Sequence, residues 1–285
     1  MIDTPERRPD LTDWIGRTES RDEILRPFPA DAMAATLDRD ERHPDGTALP
    51  ALWHWLYFLP IHKLSDSGRD GHAAKGNFLP PVPLPRRMWA GSRFSFRSPL
   101  RIGTAARRVS SITSVRPKEG RSGALCFVTV QHDLFDGDTH CIAEEHDIVY
   151  REEPAAGAPA PAPQPAPETS DFTRAVHPDP VLLMRYSALT FNGHRIHYDR
   201  PYATGVEGYG GLVVHGPLLA TLLMDLLRRQ MPDAEVATFA FRALATIIDT
   251  EDFTVHGARQ DDGSMRLWVR RHDGALAMDA TATLA

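Results

Sequence analysis

Two polar stretches in the second half of the sequence carry the side chains best suited to chemistry. The first, LTFNGHRIHYDRPYA at residues 189–203, lies beside apolar residues and contains Asn192, His194, His197 and Asp199. An imidazole with a pKa near ~6.5 takes or gives a proton at neutral pH. The side-chain amide of Asn192 is suited to holding a water molecule. The stretch therefore predicts acid–base chemistry on a bound water molecule.

The second stretch, GYGGLVVHGPLL at residues 208–219, predicts the start of a helix. Gly216 precedes Pro217, and proline is favoured at the first helical position. The first turn of a helix carries unpaired N–H groups and roughly half a positive charge, which stabilise an anionic oxygen. Together with a neighbouring imidazole, this suits the addition of water across a C=C bond conjugated to a thioester, or the reverse reaction.

The same residues do not form a familiar metal or nucleotide motif. The spacing His-x-x-His-x-Asp of His194, His197 and Asp199 comes without an HExxH pattern or a third strong set of ligands. The glycines of GVEGYGGLVVHG lack the GxGxxG spacing, and no βαβ pattern surrounds them. We therefore predict a site with no metal and no cofactor.

At this point the chain resembles a known family. YSALTFNGHRIHYDRPYA and GYGGLVVHGPLL resemble the hydratase-2 motif of the MaoC-like (R)-specific enoyl-thioester hydratases. They are more similar to the branch with type 2 hydroxyacyl-thioester dehydratases and mesaconyl-C4-CoA hydratases. LWHWLYFLP and FLPPVPLPRRMWAGS in the first half resemble the N-terminal dehydratase-like domain of that branch. The resemblance, over roughly residues 10–285 without the linker, implies an α+β double hot-dog fold, in which each half is a long helix wrapped by a curved antiparallel sheet.

The resemblance also implies roles for the motif residues. It places the catalytic histidine at His197 and the oxyanion-hole glycine at Gly216. The family aspartate falls on Asn192, which cannot act as a base, and the family asparagine falls on His194. Either His197 acts alone while Asn192 orients water, or a carboxylate such as Asp199 assists.

Further residues are candidates for binding the substrate. His194 and His215 lie in the motif stretches. Arg195, Arg86 and Arg87 could meet CoA phosphates or a substrate carboxylate, although a solvated surface pair is the alternative for Arg86 and Arg87. Asp199 could instead orient His197 or cap a turn.

The run PAAGAPAPAPQPAP at residues 154–167 divides the chain, because six Pro and six Ala in fourteen positions favour an extended spacer. We predict an N-terminal half over 1–153 and a C-terminal half over 168–285. The first half shows helical pattern in DEILRPF and PADAMAATLDR, followed by four strand-like runs. The second contains HGPLLATLLMDLLRRQM, whose leucines share one helix face, and three closing strand-like runs. The two sheets could pair edge to edge and so remove an exposed edge.

The composition narrows the partners and the location. A formal net charge of −6 gives no electrostatic basis for nucleic-acid binding. The N-terminus has no apolar signal segment, and the longest apolar run is too short to cross a membrane, so we predict a cytoplasmic protein with two reduced, buried cysteines.

The leading hypothesis is reversible hydration of a 2-enoyl-CoA, for example mesaconyl-C4-CoA or a similar short branched acyl-CoA. The alternatives are a dehydratase that acts on acyl carrier protein and a non-catalytic hot dog that binds acyl thioesters. The first half has no second His-x-x-His block, so we predict one active site per chain. A homo-oligomer is a further expectation.

Overall fold

The structure is a computed structural model that describes residues 10–120, 123–152 and 162–285. Within these ranges it contains ten strands and four α-helices. The strands are β1 (Thr18–Ile24), β2 (Arg86–Phe96), β3 (Ala105–Gly120), β4 (Gly123–Asp136), β5 (Thr139–Arg151), β6 (Phe172–Val176), β7 (Val236–Ala243), β8 (Phe253–Arg259), β9 (Met265–Arg271) and β10 (Leu276–Leu284). The helices are α1 (Pro27–Thr36), α2 (Pro180–Leu189), α3 (Arg200–Gly205) and α4 (Gly216–Gln230).

All ten strands belong to one antiparallel sheet, in the order β1-β3-β4-β5-β2-β7-β10-β9-β8-β6. The two halves of the chain meet where β2 pairs with β7, from Gly91 opposite Arg242 to Ser95 opposite Thr238. A Cβ at Gly91 would lie 2.3 Å from the carbonyl oxygen of Phe241, so this close approach of two strands requires glycine. The predicted edge-to-edge pairing of the two sheets is confirmed.

Helix α4 is the central helix of the C-terminal half. The predicted helix start is confirmed to within one residue, because the N-cap is His215 and Pro217 is the second residue rather than the first. Every residue from Leu218 to Leu227 is buried, because β6, β8, β9 and β10 pack around it. The buried carboxylate of Asp225 pairs closely with Arg39, Arg174 and Arg229 and lies 4.0 Å from Arg228. Arg39 comes from the N-terminal half.

The N-terminal half is built around a shorter helix. α1 spans Pro27–Thr36 and packs against α2 and against a 3-10 turn at Trp53–Leu56. The helical prediction for DEILRPF holds only for its last two residues, where α1 begins. It was wrong for the first three, because Thr18–Ile24 forms the edge strand β1. Its residues alternate between exposed and half-buried positions, which is the period of a strand. The half-buried positions carry polar residues, so the pattern was not visible as hydrophobic alternation.

The predicted spacer lies partly outside the described residues, at 154–161. At its other end, Pro165 forms a bridge with Ala275, and Ala166 is buried against Trp268 and Leu276. The predicted boundaries of the two halves stay a prediction. Cys126 and Cys141 are free and buried, as predicted. No helix in the described ranges is long and apolar enough to span a bilayer.

Candidate active site

Helix α2 and the segment before α4 bring the two motif stretches together. After α2 the chain turns at Phe191, whose φ is +49°, and runs into a 3-10 turn at Arg195–His197. The N–H of Val213 donates to the carbonyl oxygen of Ile196 over 2.9 Å. The loop that carries His197 therefore lies directly against the segment that leads into α4.

His197 is buried, and its ring orientation is fixed by one hydrogen bond. Its Nδ1 lies 2.7 Å from the carbonyl oxygen of Val213. Because a carbonyl oxygen only accepts, Nδ1 carries the hydrogen and Nε2 keeps its lone pair. Burial lowers the pKa of His197 to about 4, so the ring is neutral at pH 7. A neutral imidazole with a free lone pair is the state required of a general base.

His215 and Gly216 lie beside this base at the start of α4. The rings of His197 and His215 stack with centroids 3.6 Å apart, and His215 Nε2 lies 2.8 Å from Ser187 Oγ. The His215 side chain does not cap the helix, so the first N–H groups of α4 stay available. A Cβ placed on Gly216 would meet no atom within 4 Å. The helix start therefore borders open space, where a thioester oxygen could receive an N–H hydrogen bond.

Asn192 and His194 shape the turn that leads to His197. The Oδ1 of Asn192 accepts the backbone N–H of His194 over 3.0 Å, which is an Asx turn. This turn uses one of the two acceptor positions of the side-chain oxygen. The ring of His194 lies next to His197, with centroids 5.4 Å apart. Burial, followed by the neighbouring histidines, lowers the pKa of His194 to about 2.

Arg195 and Asp199 bind each other. Both Nε and Nη2 of Arg195 donate to Asp199 Oδ2, at 2.9 and 2.7 Å, and the guanidinium lies over the ring of Tyr202. The other oxygen of Asp199 accepts the N–H of Tyr202 and caps α3. Asp199 was predicted either to orient His197 or to cap a turn, and the structure shows the cap. Its hydrogen bonds go to Arg195 and Tyr202 rather than to His197.

Arg86 and Arg87 differ in their surroundings. Arg86 pairs with Glu207 over 3.3 Å. Arg87 forms no ion pair with a carboxylate in the described ranges. Burial lowers the pKa of His72, and the positive charge of the nearby Arg87 lowers it further. Arg87 is therefore the arginine best placed to receive an anionic group near His194.

Two residues near the site were not identified from the sequence. Asp70 and His72 come from a loop of the N-terminal half, and the ring of His72 lies 4.2 Å from that of His194 between centroids. With His194 they offer ligand atoms within 4.8 Å of one another. However, Asp70 Oδ2 and His72 Nδ1 lie 2.8 Å apart, so these two ligand atoms are engaged with each other in a hydrogen bond. The only sequence signal was the run GRDGHAAKG, a glycine-rich loop with an Asp-x-His spacing.

A second buried polar cluster lies in the N-terminal half. Glu144 is 2% exposed and contacts His54 Nε2 at 3.0 Å and Trp55 Nε1 at 3.3 Å. Burial lowers the pKa of the nearby His146 to about 4, and the charge of Arg87 contributes to that shift. The positive charge of Arg87 thus acts on His146 of this cluster as well as on His72.

Comparison with known proteins identifies the family. The family model of hydroxyacyl-thioester dehydratase type 2 matches residues 52–249. This range includes the aromatic run of the first half, the motif loop and all of α4. The chain belongs to this family. The predicted enzyme class, a hydro-lyase that hydrates or dehydrates acyl thioesters, is thereby confirmed.

A relative within this family agrees over almost its whole length. The mesaconyl-C(4)-CoA hydratase of Chloroflexus aurantiacus is 49% identical over 277 residues, which cover 96% of this chain and 98% of that protein. The likeness therefore extends over both halves of the chain.

Solved structures show the same fold. A MaoC-like dehydratase from Phytophthora capsici superposes with a TM-score of 0.69 at 14% identity, covering 96% of this chain and 97% of that one. A Mycobacterium tuberculosis protein described as a double hotdog fold gives a TM-score of 0.56 at 13% identity, covering 95% and 96%. The predicted double hot-dog, α+β fold is confirmed.

Proposed function

We propose that this type 2 dehydratase catalyses the reversible hydration of a short branched 2-enoyl-CoA that carries a free carboxylate, with mesaconyl-C4-CoA as the leading candidate. The observation that carries the proposal is the position of His197. Its free Nε2 belongs to a neutral ring that stacks on the N-cap residue of α4. The 49% identity to a mesaconyl-C(4)-CoA hydratase supports the choice of substrate.

The reaction follows from these positions. In the hydration direction, His197 Nε2 takes a proton from water while the water oxygen bonds to C3 of the substrate. The π electrons move to the thioester oxygen, where the N–H of Gly216 and the helix start stabilise the enolate. The His197 imidazolium then returns its proton to C2. Water and proton both come from the side of His197, so the addition is syn.

The presence of Arg87 supports the proposal that the substrate carries a second acid group. Mesaconate bound as a thioester through one carboxyl group retains one carboxylate. A guanidinium binds a carboxylate through two parallel hydrogen bonds. Of the three predicted arginines, Arg86 and Arg195 already pair with Glu207 and Asp199, which leaves Arg87 for the substrate.

A panel of thioesters tests the proposal. Purified protein is mixed with mesaconyl-C4-CoA, a monocarboxylic 2-enoyl-CoA and the same acyl groups on acyl carrier protein, and loss of the enoyl-thioester absorbance is followed. We expect turnover that is fastest with mesaconyl-C4-CoA. His197→Ala should lower the rate by about 10²–10⁴-fold, and the exposed His177 replaced by Ala serves as the control.

Each other outcome points to a different function. Turnover confined to carrier-protein substrates would assign the chain to fatty-acid synthesis, and binding without turnover would make it a thioester-binding protein. No turnover on any substrate rejects the proposal. The acyl carrier protein as a partner, a homo-oligomer, the cytoplasmic location and a single active site per chain stay predictions.

A further inference from the structure

A loop of the N-terminal half docks tightly onto the motif loop. A Cβ at Gly71 would lie 1.9 Å from the carbonyl oxygen of Gly193, and one at Gly193 would lie 2.7 Å from the carbonyl oxygen of Gly71. The N–H of Arg195 donates to the carbonyl oxygen of Asp70 over 2.9 Å. Two glycines in backbone contact and this hydrogen bond hold residues 70–72 against residues 193–195.

This docking places an oriented histidine beside the site. Asp70 uses one carboxylate oxygen for the backbone N–H of His72, at 3.1 Å, and the other for His72 Nδ1, at 2.8 Å. The carboxylate fixes Nδ1 as the protonated nitrogen, so Nε2 keeps a lone pair. No hydrogen bond from a described residue occupies Nε2. Burial lowers the pKa of His72, and the ring is neutral at pH 7.

Apart from the ring of His194, the side chains of the motif loop that could accept a second hydrogen bond from water are already engaged. Asn192 carries an amide rather than a carboxylate, and its side-chain oxygen accepts the N–H of His194. Asp199 is engaged by Arg195 and by the cap of α3. A water molecule has two O–H groups, and His197 accounts for one of them.

We propose that His72 is a second catalytic residue, whose Nε2 accepts a hydrogen bond from the reacting water while His197 removes the other proton. Asp70 is the positioning residue that sets the tautomer of His72. The inference rests on the proposed hydration. One proton moves from water to His197 and then to C2, and His72 gains none over the cycle. The N-terminal half thus contributes a reacting group as well as the fold.

Two substitutions that preserve size test this role. In Asp70→Asn, Oδ1 continues to accept the backbone N–H of His72, so the amide nitrogen faces Nδ1 and forces the hydrogen onto Nε2. His72→Gln keeps an amide oxygen as an acceptor, whereas His72→Ala removes it. We expect kcat to fall by about 10²-fold in Asp70→Asn and His72→Ala, with KM nearly unchanged and partial recovery in His72→Gln. Asp66→Asn, an exposed acid in the same loop, should keep wild-type kcat.

Coupling between the two histidines separates a catalytic from a structural role. If both act on one water molecule, the double variant His72→Ala/His197→Ala should lose much less than the product of the single losses. Multiplicative losses, kcat within twofold of wild type in Asp70→Asn, or an equal loss in Asp66→Asn would each overturn the inference. Inactivation by EDTA with recovery on adding Zn²⁺ would also overturn it, because Asp70, His72 and His194 would then be metal ligands.

The rates of these variants can be interpreted only if the wild-type protein turns over an enoyl thioester. Absence of wild-type turnover rejects the proposed function itself. Wild-type turnover combined with active His72 variants rejects the second catalytic residue and leaves the proposed function standing. Circular dichroism and thermal melting check that each variant is folded.

Discussion

His197 Nδ1 lies 2.7 Å from the carbonyl oxygen of Val213 and donates its hydrogen to that oxygen. Val213 lies three residues before Gly216, so the same segment orients His197, the proposed base, and begins the helix that we propose stabilises the enolate. The two functions cannot move independently, because both depend on the path of residues 213–216. This contact also determines that the basic nitrogen is Nε2, which leads to a prediction about pH.

We expect kcat/KM to stay level through neutral pH and to fall only as the pH approaches 4. Burial holds the pKa of His197 at about 4 instead of 6.5, so the base is neutral above that pH and protonated below it. The folded state disfavours protonation, so stability also declines as the pH falls from 6.5 toward 4. Rates are therefore compared only where circular dichroism shows folded protein. An acid limb near 6.5 would contradict the prediction.

Replacing Gly216 should impair the oxyanion site without disturbing the fold. In Gly216→Val the new side chain enters the open space beside the start of α4 and displaces the thioester oxygen. Losing one such donor lowers kcat by about 10²–10³-fold. Gly205→Val, at the end of α3, is the control because its Cβ would also meet nothing within 4 Å. Equal kcat values for the two variants would argue against the oxyanion role of Gly216.

Arg87 should discriminate between substrates rather than drive the reaction. Arg87→Gln removes the cation that we propose binds the free carboxylate, so kcat/KM for mesaconyl-C4-CoA should fall by about 10-fold or more, given the ~1.5–3 kcal/mol typical of a hydrogen bond to a charged group. The value for a monocarboxylic enoyl-CoA should change little. Steady-state kinetics with both substrates measure the difference. An equal loss on both would show that Arg87 acts on a part common to the two substrates.

The sequence predicts some elements of this fold well. Helix α4 could be predicted because its leucines repeat with helical spacing and Pro217 marks its start. Strand β1 could not, because its half-buried positions carry charged and polar residues instead of an apolar face. The hydrogen-bond partners of Asp199 could not be predicted either, because spacing alone does not distinguish a contact with Arg195 from one with His197.

The position of His72 beside His194 illustrates a different limit of sequence-based prediction. His72 and His194 are about 120 residues apart in the chain, and no periodicity connects them. Their proximity depends on how a loop of one half docks onto a loop of the other. His197 and Gly216 could be found from sequence because local motifs carry them, whereas a residue brought in by tertiary contact has no such local signal.

Asp225 should matter to stability more than any surface ion pair. Its side chain is fully buried, pairs closely with Arg39, Arg174 and Arg229 and lies 4.0 Å from Arg228. Asp225→Ala leaves these guanidinium groups without their shared counter-charge, and breaking a buried pair typically costs about 3–5 kcal/mol. Asp279→Ala, which breaks the more exposed pair with Arg266, should cost about 1 kcal/mol or less. Urea unfolding of both variants measures the difference, and similar costs would contradict the prediction.

Gly71→Ala should separate the docking loop from the motif loop. Its added Cβ would collide with the carbonyl oxygen of Gly193, which pushes His72 away from the site. We expect kcat to fall about as far as in His72→Ala, with a small change in melting temperature because the core is untouched. Steady-state kinetics and thermal melting measure the two effects.

Gly46→Ala is the matched control. Gly46 and Gly71 both have φ near +89°, but a Cβ on Gly46 meets nothing within 4 Å. The two substitutions therefore introduce the same backbone strain, and only Gly71→Ala adds the clash. Full activity in Gly46→Ala with a large loss in Gly71→Ala would assign the effect to docking of the loop. If Gly71→Ala kept wild-type kcat, contact between the loops would not be required to hold His72 at the reacting water.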